Sequence, residues 1–280
     1  MKKKLIIIFS ILIIGLCMIT ILGINQYQKN NQYQRKFPES NKRLSISTPL
    51  LLVPGSGGTA DSYDSMLDYL KNSLSGVDFL KLTVNEHAKV TMEGTLTKKT
   101  KHPVIVIAFN DSSDEAVPQQ GYWFGIALRY LQKNYKFKKF NYVGHSNGGL
   151  VISHYFEEEV QNGDPLGNRL MFLGTPFNGI DLKENTLTSN QKLEHVSSEL
   201  RTLLNKKDRI PRYLIIKNIY SDLEDKSDGI VPIESVKAGK LVYENVHSYE
   251  LENLGEKINH VLLVDNATTF QKVNRFFFNK

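Results

Sequence analysis

Gly144-His145-Ser146-Asn147-Gly148 sets a serine between two glycines at G-x-S-x-G spacing, directly after the apolar run Phe140–Val143. A serine hydroxyl is a weak nucleophile unless its Oγ stands clear of the chain, beside a base and near the unpaired amides of a helix N-terminus. A strand, a sharp turn and a helix provide that placement. Side chains two residues before and two after the serine would collide in such a turn, which accounts for Gly144 and Gly148. Gly149 then lets the helix pack close to the sheet. The motif alone fills many ordinary turns, so its weight comes from its flanks: the strand before it, and after it an expected helix over Asn147–Gln161 that turns Leu150, Val151, Tyr155 and Phe156 inward. The chemistry expected of Ser146 is acyl transfer. His145 is expected to pack and hydrogen-bond away from the serine.

The remaining elements must present partners to this serine. Pro49–Pro54 is a continuous apolar run, as for a strand buried on both faces, and it leads into Gly55-Ser56-Gly57-Gly58-Thr59. A glycine-rich loop between strand and helix can cradle a phosphate, but both G-x-G-x-x-G and the P-loop lysine are absent. With the serine turn downstream, it reads as an oxyanion loop that aims the Ser56 amide at the site; an ordinary strand-helix turn is the competing reading. A helix follows, capped at Asp61 or Ser62, with Met66, Leu67, Leu70 and Leu74 on one face. Val77–Leu82 and Lys89–Thr97 read as edge strands, Pro103–Phe109 as a buried strand, Asn110–Gln119 as a polar loop and Gly121–Asn134 as a helix. Arg169–Gly174 and Tyr213–Tyr220 are further strands, and Leu241–Leu251 suggests a last one before a closing helix with Phe270, Val273 and Phe277 buried. Between them, 180–212 has no strand and one amphipathic helix carrying Leu193, Val196, Leu200, Leu203 and Leu204. It reads equally as a small cap over the nucleophile, spanning about 176–212, and as a surface helix packed on the body. Alternating buried strands and helices argue a mostly parallel, doubly wound α/β sheet with ligands at the carboxyl ends of its strands.

Composition bounds the partners. The 280 residues carry a formal charge of +6, but residues 1–45 hold eight basic residues and one acid, +7, which leaves 6 − 7 = −1 for the rest. A near-neutral folded part offers no electrostatic case for nucleic acid. The single cysteine, Cys17, lies in the apolar N-terminal run, so no disulfide framework, cysteine metal cluster or cysteine nucleophile is expected in the folded part. No metal or cofactor is implied. Leu5–Ile24 is long enough to span a bilayer, and Lys2, Lys3 and Lys4 would hold its start in the cytoplasm, with everything after it outside. An uncleaved anchor over residues 1–24 is the preferred reading; a cleaved signal peptide, giving a secreted protein, competes with it, and Ile14-Gly15-Leu16-Cys17 only loosely resembles a lipoprotein box. Residues 25–48 read as a polar stalk and 49–280 as the folded domain.

Taken together, Pro54–Thr59, Val143–Gly149, Thr175–Gly179, Ser227–Pro232 and the terminal His260 to Asn266 resemble the α/β-hydrolases, and more narrowly the lipase-like cell-surface hydrolases of Gram-positive bacteria grouped as DUF915. Pro54 stands where members of that group often have histidine. The resemblance implies an α/β-hydrolase fold and a nucleophile, acid, base order along the chain. Asp228 fits the acid, in a turn after a strand, ahead of its loop neighbours Asp222, Glu224 and Asp225. His260 fits the base, after the last strand, with His247 as runner-up; His87, His102, His154 and His195 lack a matching context. The implied chemistry is ester hydrolysis of a small-molecule or lipid-like substrate: His260 takes the proton of Ser146, Asp228 orients the imidazole, and the amides of Ser56 and Asn147 hold the oxyanion. Peptidase, thioesterase and acyltransferase activities use the same triad, and a non-catalytic binding protein on the same fold would show these three side chains held apart. Oligomeric state is not legible in the sequence.

Overall fold

The computed structural model describes residues 43–278, so the expected anchor Leu5–Ile24 and most of the expected stalk lie outside the described residues. Among the described residues no helix is long and apolar enough to cross a membrane. The strands are β1 (Leu44–Ser45), β2 (Leu50–Val53), β3 (Val77–Val84), β4 (Val90–Gly94), β5 (His102–Phe109), β6 (Tyr135–Lys136), β7 (Lys139–His145), β8 (Leu166–Leu173), β9 (Ile215–Tyr220) and β10 (Ser248–Asn253). Eight of them form one sheet in the order β10-β9-β8-β7-β2-β5-β3-β4, and β1 pairs with β6 apart from it. Every neighbouring pair in the large sheet is parallel except β3 with β4.

Parallel strands need long crossovers, and the helices supply them: α1 (Asp64–Ser73), α2 (Val117–Asn134), α3 (Asn147–His154), α4 (Ser198–Lys206), α5 (Ile233–Val242) and α6 (Ala267–Phe277). One face of the sheet packs against Phe124, Leu128, Val151, Leu200, Leu203 and Val242, from α2, α3, α4 and α5. The other packs against Met66, Leu67, Leu70, Phe270 and Val273, from α1 and α6. β2 explains the arrangement. All four of its residues are buried, with Leu51 and Val53 in one core and Leu50 and Leu52 in the other, the period-2 alternation of a strand covered on both sides. The chain leaves β2 toward β5 and β3, then returns to its other flank at β7. β2 and β7 are therefore neighbours at the point where the order of winding reverses, and their carboxyl ends lie side by side, where such sheets bind ligands. At the far edge, β10 alternates Glu250 and Glu252 outward onto Lys217 of β9, charge that discourages further strand addition.

Several boundaries differ from the sequence expectation. Arg43–Ser47, expected in the stalk, are bonded to the body: β1 lies on β6, Arg43 donates to the Gln132 carbonyl at 2.9 Å and Ser47 to that of Lys101 at 2.7 Å. α2 starts at Val117, with Pro118 in its first turn, where a missing N–H costs nothing. The helix after Ser146 is α-helical only to His154 and continues as a π-turn over Tyr155–Glu159. Leu241–Leu251 is not one strand: Leu241 and Val242 close α5, and only Ser248–Asn253 is extended. The apolar pattern there belongs to packing of the helix end, where Tyr243 meets Phe172 at a tilt and Phe177 edge to face. In 180–212, Leu193 forms a β-bridge with Leu187 and Val196 is exposed, so the helix begins only at Ser198. Ser197 fixes that start by accepting from the Leu200 amide at 3.1 Å.

Candidate active site

The turn at Ser146 follows from close approach. β7 ends at His145 and α3 begins at Asn147, so one residue makes the reversal, with φ 51° and ψ −129° at Ser146. A β-carbon at Gly144 would lie 2.7 Å from the backbone of Gly148, and one at Gly148 would lie 2.3 Å from the Val53 carbonyl oxygen. Both positions are therefore closed to any side chain. A non-glycine residue at positive φ is a strained backbone held by its surroundings, a feature that concentrates at reactive sites. The hold here comes from both ends: the Ser146 amide donates to the Leu173 carbonyl at 2.9 Å and its carbonyl accepts from the Gly149 amide at 3.0 Å. Ser146 is half-buried, and among the described residues its Oγ has no hydrogen-bond partner.

Around the end of β8, one residue past the Leu173 carbonyl that holds the Ser146 amide, stand Asp228 and His260; they are bonded to each other, and among the described residues neither is hydrogen-bonded to Ser146 Oγ. Asp228 Oδ2 lies 2.7 Å from His260 Nδ1, and the His260 amide donates to the Asp228 carbonyl at 2.8 Å. Asp228 Oδ1 accepts from the amides of Ile230 at 3.1 Å and Val231 at 2.7 Å. Both side chains are buried, at 1% and 5% exposure, so the pair is shielded from competing water. Gly174 makes room for it. With φ 59°, this residue lies where a β-carbon would fall 2.8 Å from Asp228 Oδ2 and 3.0 Å from His260 Nδ1. The rivals lie elsewhere: His247 is exposed, and Asp225 is occupied in its own turn by the Ser227 hydroxyl at 2.8 Å and amide at 3.1 Å.

His145 turns its ring from Ser146 toward His260, with Nε2 donating to the His260 carbonyl at 3.0 Å and ring centroids 4.6 Å apart. Burial, and then the neighbouring His260, push its pKa down to about 4, so it is a neutral prop under His260.

The glycine loop lies against Ser146: a β-carbon on Gly55 would be 2.5 Å from Ser146 Cβ and 3.2 Å from its Oγ. Within the loop, the Gly57 amide donates to the Ser112 carbonyl and the Gly58 amide to that of Gly55, while among the described residues the Ser56 amide has no partner. The side chain of Asn147 reaches back to this loop, donating to Ser56 Oγ at 2.7 Å and to Asp114 Oδ1 at 2.8 Å, and Ser56 Oγ donates to the same Asp114 oxygen. Sequence reasoning does not single out Asp114, in the polar loop Asn110–Gln119, nor the room that Gly174, at the end of an expected strand, makes for Asp228 and His260. No group of three or more His, Cys, Asp or Glu side chains is placed to bind a metal among the described residues.

A mostly parallel sheet bearing a serine at a strained strand-to-helix turn defines an α/β-hydrolase. The chain belongs to the family described as "Alpha/beta hydrolase of unknown function (DUF915)", which it matches over residues 38–280. Among solved structures it is similar to the lin2722 gene product of Listeria innocua, at 28% identity and TM-score 0.76, covering 84% of this chain and 95% of that one. It is also similar to a protein of Lactobacillus plantarum WCFS1 described as a cell surface hydrolase, at 24% identity and TM-score 0.69 over 84% and 92% of the two chains. A lipase-esterase related protein from Clostridium acetobutylicum shares the fold at 16% identity and TM-score 0.50, over 83% and 95%. No protein with a curated description matches the sequence.

Proposed function

We propose that this chain is a serine hydrolase that cleaves carboxylic esters through an acyl-enzyme, with Ser146 as nucleophile, His260 as general base and Asp228 as the group that orients it. The observation that carries the reading is the buried contact of 2.7 Å between Asp228 Oδ2 and His260 Nδ1 beside a serine at φ 51°. An ionised carboxylate only accepts, so Nδ1 carries the proton and Nε2 is left as the acceptor a general base needs. The imidazole takes the Ser146 proton as Oγ attacks the ester carbonyl, then returns it to the departing alcohol. Water, deprotonated by the same nitrogen, releases the acid and restores the serine. The amides of Ser56 and Asn147 hold the oxyanion in both halves; one such donor is worth ~2.7–4 kcal/mol of transition-state stabilisation.

Large apolar side chains next to the acid and the base favour an ester with an apolar part: Ile230 is 49% exposed, Val261 64% and Leu262 38%. Leu5–Ile24 holds the domain at the outer face of the membrane, a placement in keeping with the description of the Lactobacillus relative.

The test is a hydrolysis series of p-nitrophenyl esters of increasing acyl length, with a thioester and a peptide anilide alongside. Ester cleavage, abolished in Ser146→Ala, is expected; turnover of the anilide alone would replace the ester reading with a peptidase.

A further inference from the structure

We infer that Asp114 is a positioning residue for the oxyanion loop, an inference that rests on the serine hydrolase reading above. Three loops, from the carboxyl ends of β2, β5 and β7, meet in the closed set of hydrogen bonds among Ser56, Asp114 and Asn147. Both N–H bonds of the Asn147 amide are used, at 2.7 Å to Ser56 Oγ and 2.8 Å to Asp114 Oδ1, and Asn147 is buried. The Ser56 hydroxyl accepts from Asn147 and donates to Asp114. The two residues whose amides face the developing oxyanion are thus fastened by their own side chains to one carboxylate oxygen.

The loop that carries Asp114 is itself held in place just before it. Gln120 of α2, 4% exposed, donates to the carbonyls of Asp111 at 3.0 Å and Ser113 at 3.2 Å. Asp111 Oδ1 accepts from the Ser113 amide and hydroxyl, at 3.2 and 2.6 Å. The Ser112 carbonyl takes the Gly57 amide at 3.1 Å, a second grip on the same glycine loop. A loop of three glycines among five residues has little conformational preference of its own, so its shape is imposed by these bonds. A negative charge close to an oxyanion works against it electrostatically; what Asp114 contributes is an acceptor in a fixed place, and asparagine offers the same acceptor.

The experiment uses the full-length protein and measures the rate of phosphonylation by a fluorophosphonate probe, with kcat and KM on p-nitrophenyl butyrate, for Asp114→Ala, Asp114→Asn, Ser146→Ala and the neighbouring surface control Glu115→Gln. Asp114→Ala is expected to slow phosphonylation and kcat by ~10–100-fold, the order that displacement of about 1 Å at a reacting centre brings, with KM little changed. Asp114→Asn is expected to restore most of the rate, and Glu115→Gln to react as the parent. A parent rate in Asp114→Ala overturns the inference, as does an Asp114→Asn as slow as Asp114→Ala. Should Asp114→Ala fail to fold, Ser56→Ala removes the linking hydroxyl instead, and a parent rate there overturns the inference equally. Full phosphonylation of Ser146→Ala would instead sink the serine hydrolase reading itself.

Discussion

His260 and Asp228 are joined twice, ring to carboxylate at 2.7 Å and amide to carbonyl at 2.8 Å, so both the ring and the backbone of the histidine are tied to the same residue. Asp228 is pinned as well, because its other oxygen takes the amides of Ile230 and Val231. Two loops that are 32 residues apart in sequence thereby behave as one rigid acid-base unit.

Asp228→Asn tests that unit. The amide keeps the shape but can present N–H to Nδ1, which selects the wrong tautomer. A loss of kcat reaching ~10⁴ is expected, as in serine proteases, with the fold retained by circular dichroism. His247→Ala, at an exposed position, should keep the parent rate. A parent rate in Asp228→Asn would remove the acid from the account.

Gly148→Ala tests the packing behind the elbow. The added methyl would sit 2.3 Å from the Val53 carbonyl and 2.8 Å from that of Pro54. Overpacking of this kind costs about 1–3 kcal/mol. Chemical denaturation should show that loss, together with slowed fluorophosphonate labelling as the start of α3 is pushed from β2; unchanged stability would contradict the tight approach.

His145 makes stability fall with acid. Its folded pKa, about 4, lies below the ordinary 6.5, so the stabilisation of its neutral form is complete above pH 6.5 and is lost as pH falls toward 4. Within that window each pH unit is worth up to about 1.4 kcal/mol. His145→Gln, which keeps an N–H for the His260 carbonyl, should flatten the pH dependence of unfolding there. An equally steep curve in the variant would show that His145 is protonated freely in the folded state.

Glu157 acts in the opposite direction. It is 2% exposed with Oε1 unpartnered, and burial, reinforced by Glu158, lifts its carboxyl to about 8. A raised pKa means stabilisation that is complete below the ordinary 4.5 and lost as pH rises through 8. Lys206 and Arg209 oppose the shift, and Glu199 adds to it. Glu157→Gln is expected to raise Tm at pH 9 relative to the parent more than at pH 6; an equal change at both would contradict a protonated Glu157.

What the sequence discloses is governed by range. Gly144, Ser146 and Gly148 are legible because the steric demand of the turn is satisfied within a few residues. The buried strands β2 and β5 are legible because both faces are apolar. Asp228 and His260 emerge through likeness to other hydrolases, since nothing within either loop says that they meet. Asp114 is hidden for the same reason: its partners lie 58 and 33 residues away, and an aspartate in a polar loop is ordinary until the strands are ordered. The end of α5 misleads because Leu241, Val242 and Tyr243 form an apolar run, yet Leu241 is exposed while Tyr243 is buried against Phe172 and Phe177. Tertiary packing overrides local preference there.

The central claim is that Ser146 carries the acyl group. The most direct measurement is mass spectrometry of the protein after reaction with a fluorophosphonate and, separately, after acid quench during turnover of p-nitrophenyl butyrate. One adduct per chain is expected in each case, on the peptide containing Ser146, and none in Ser146→Ala; an adduct on another residue, or undiminished labelling of the variant, would contradict the account.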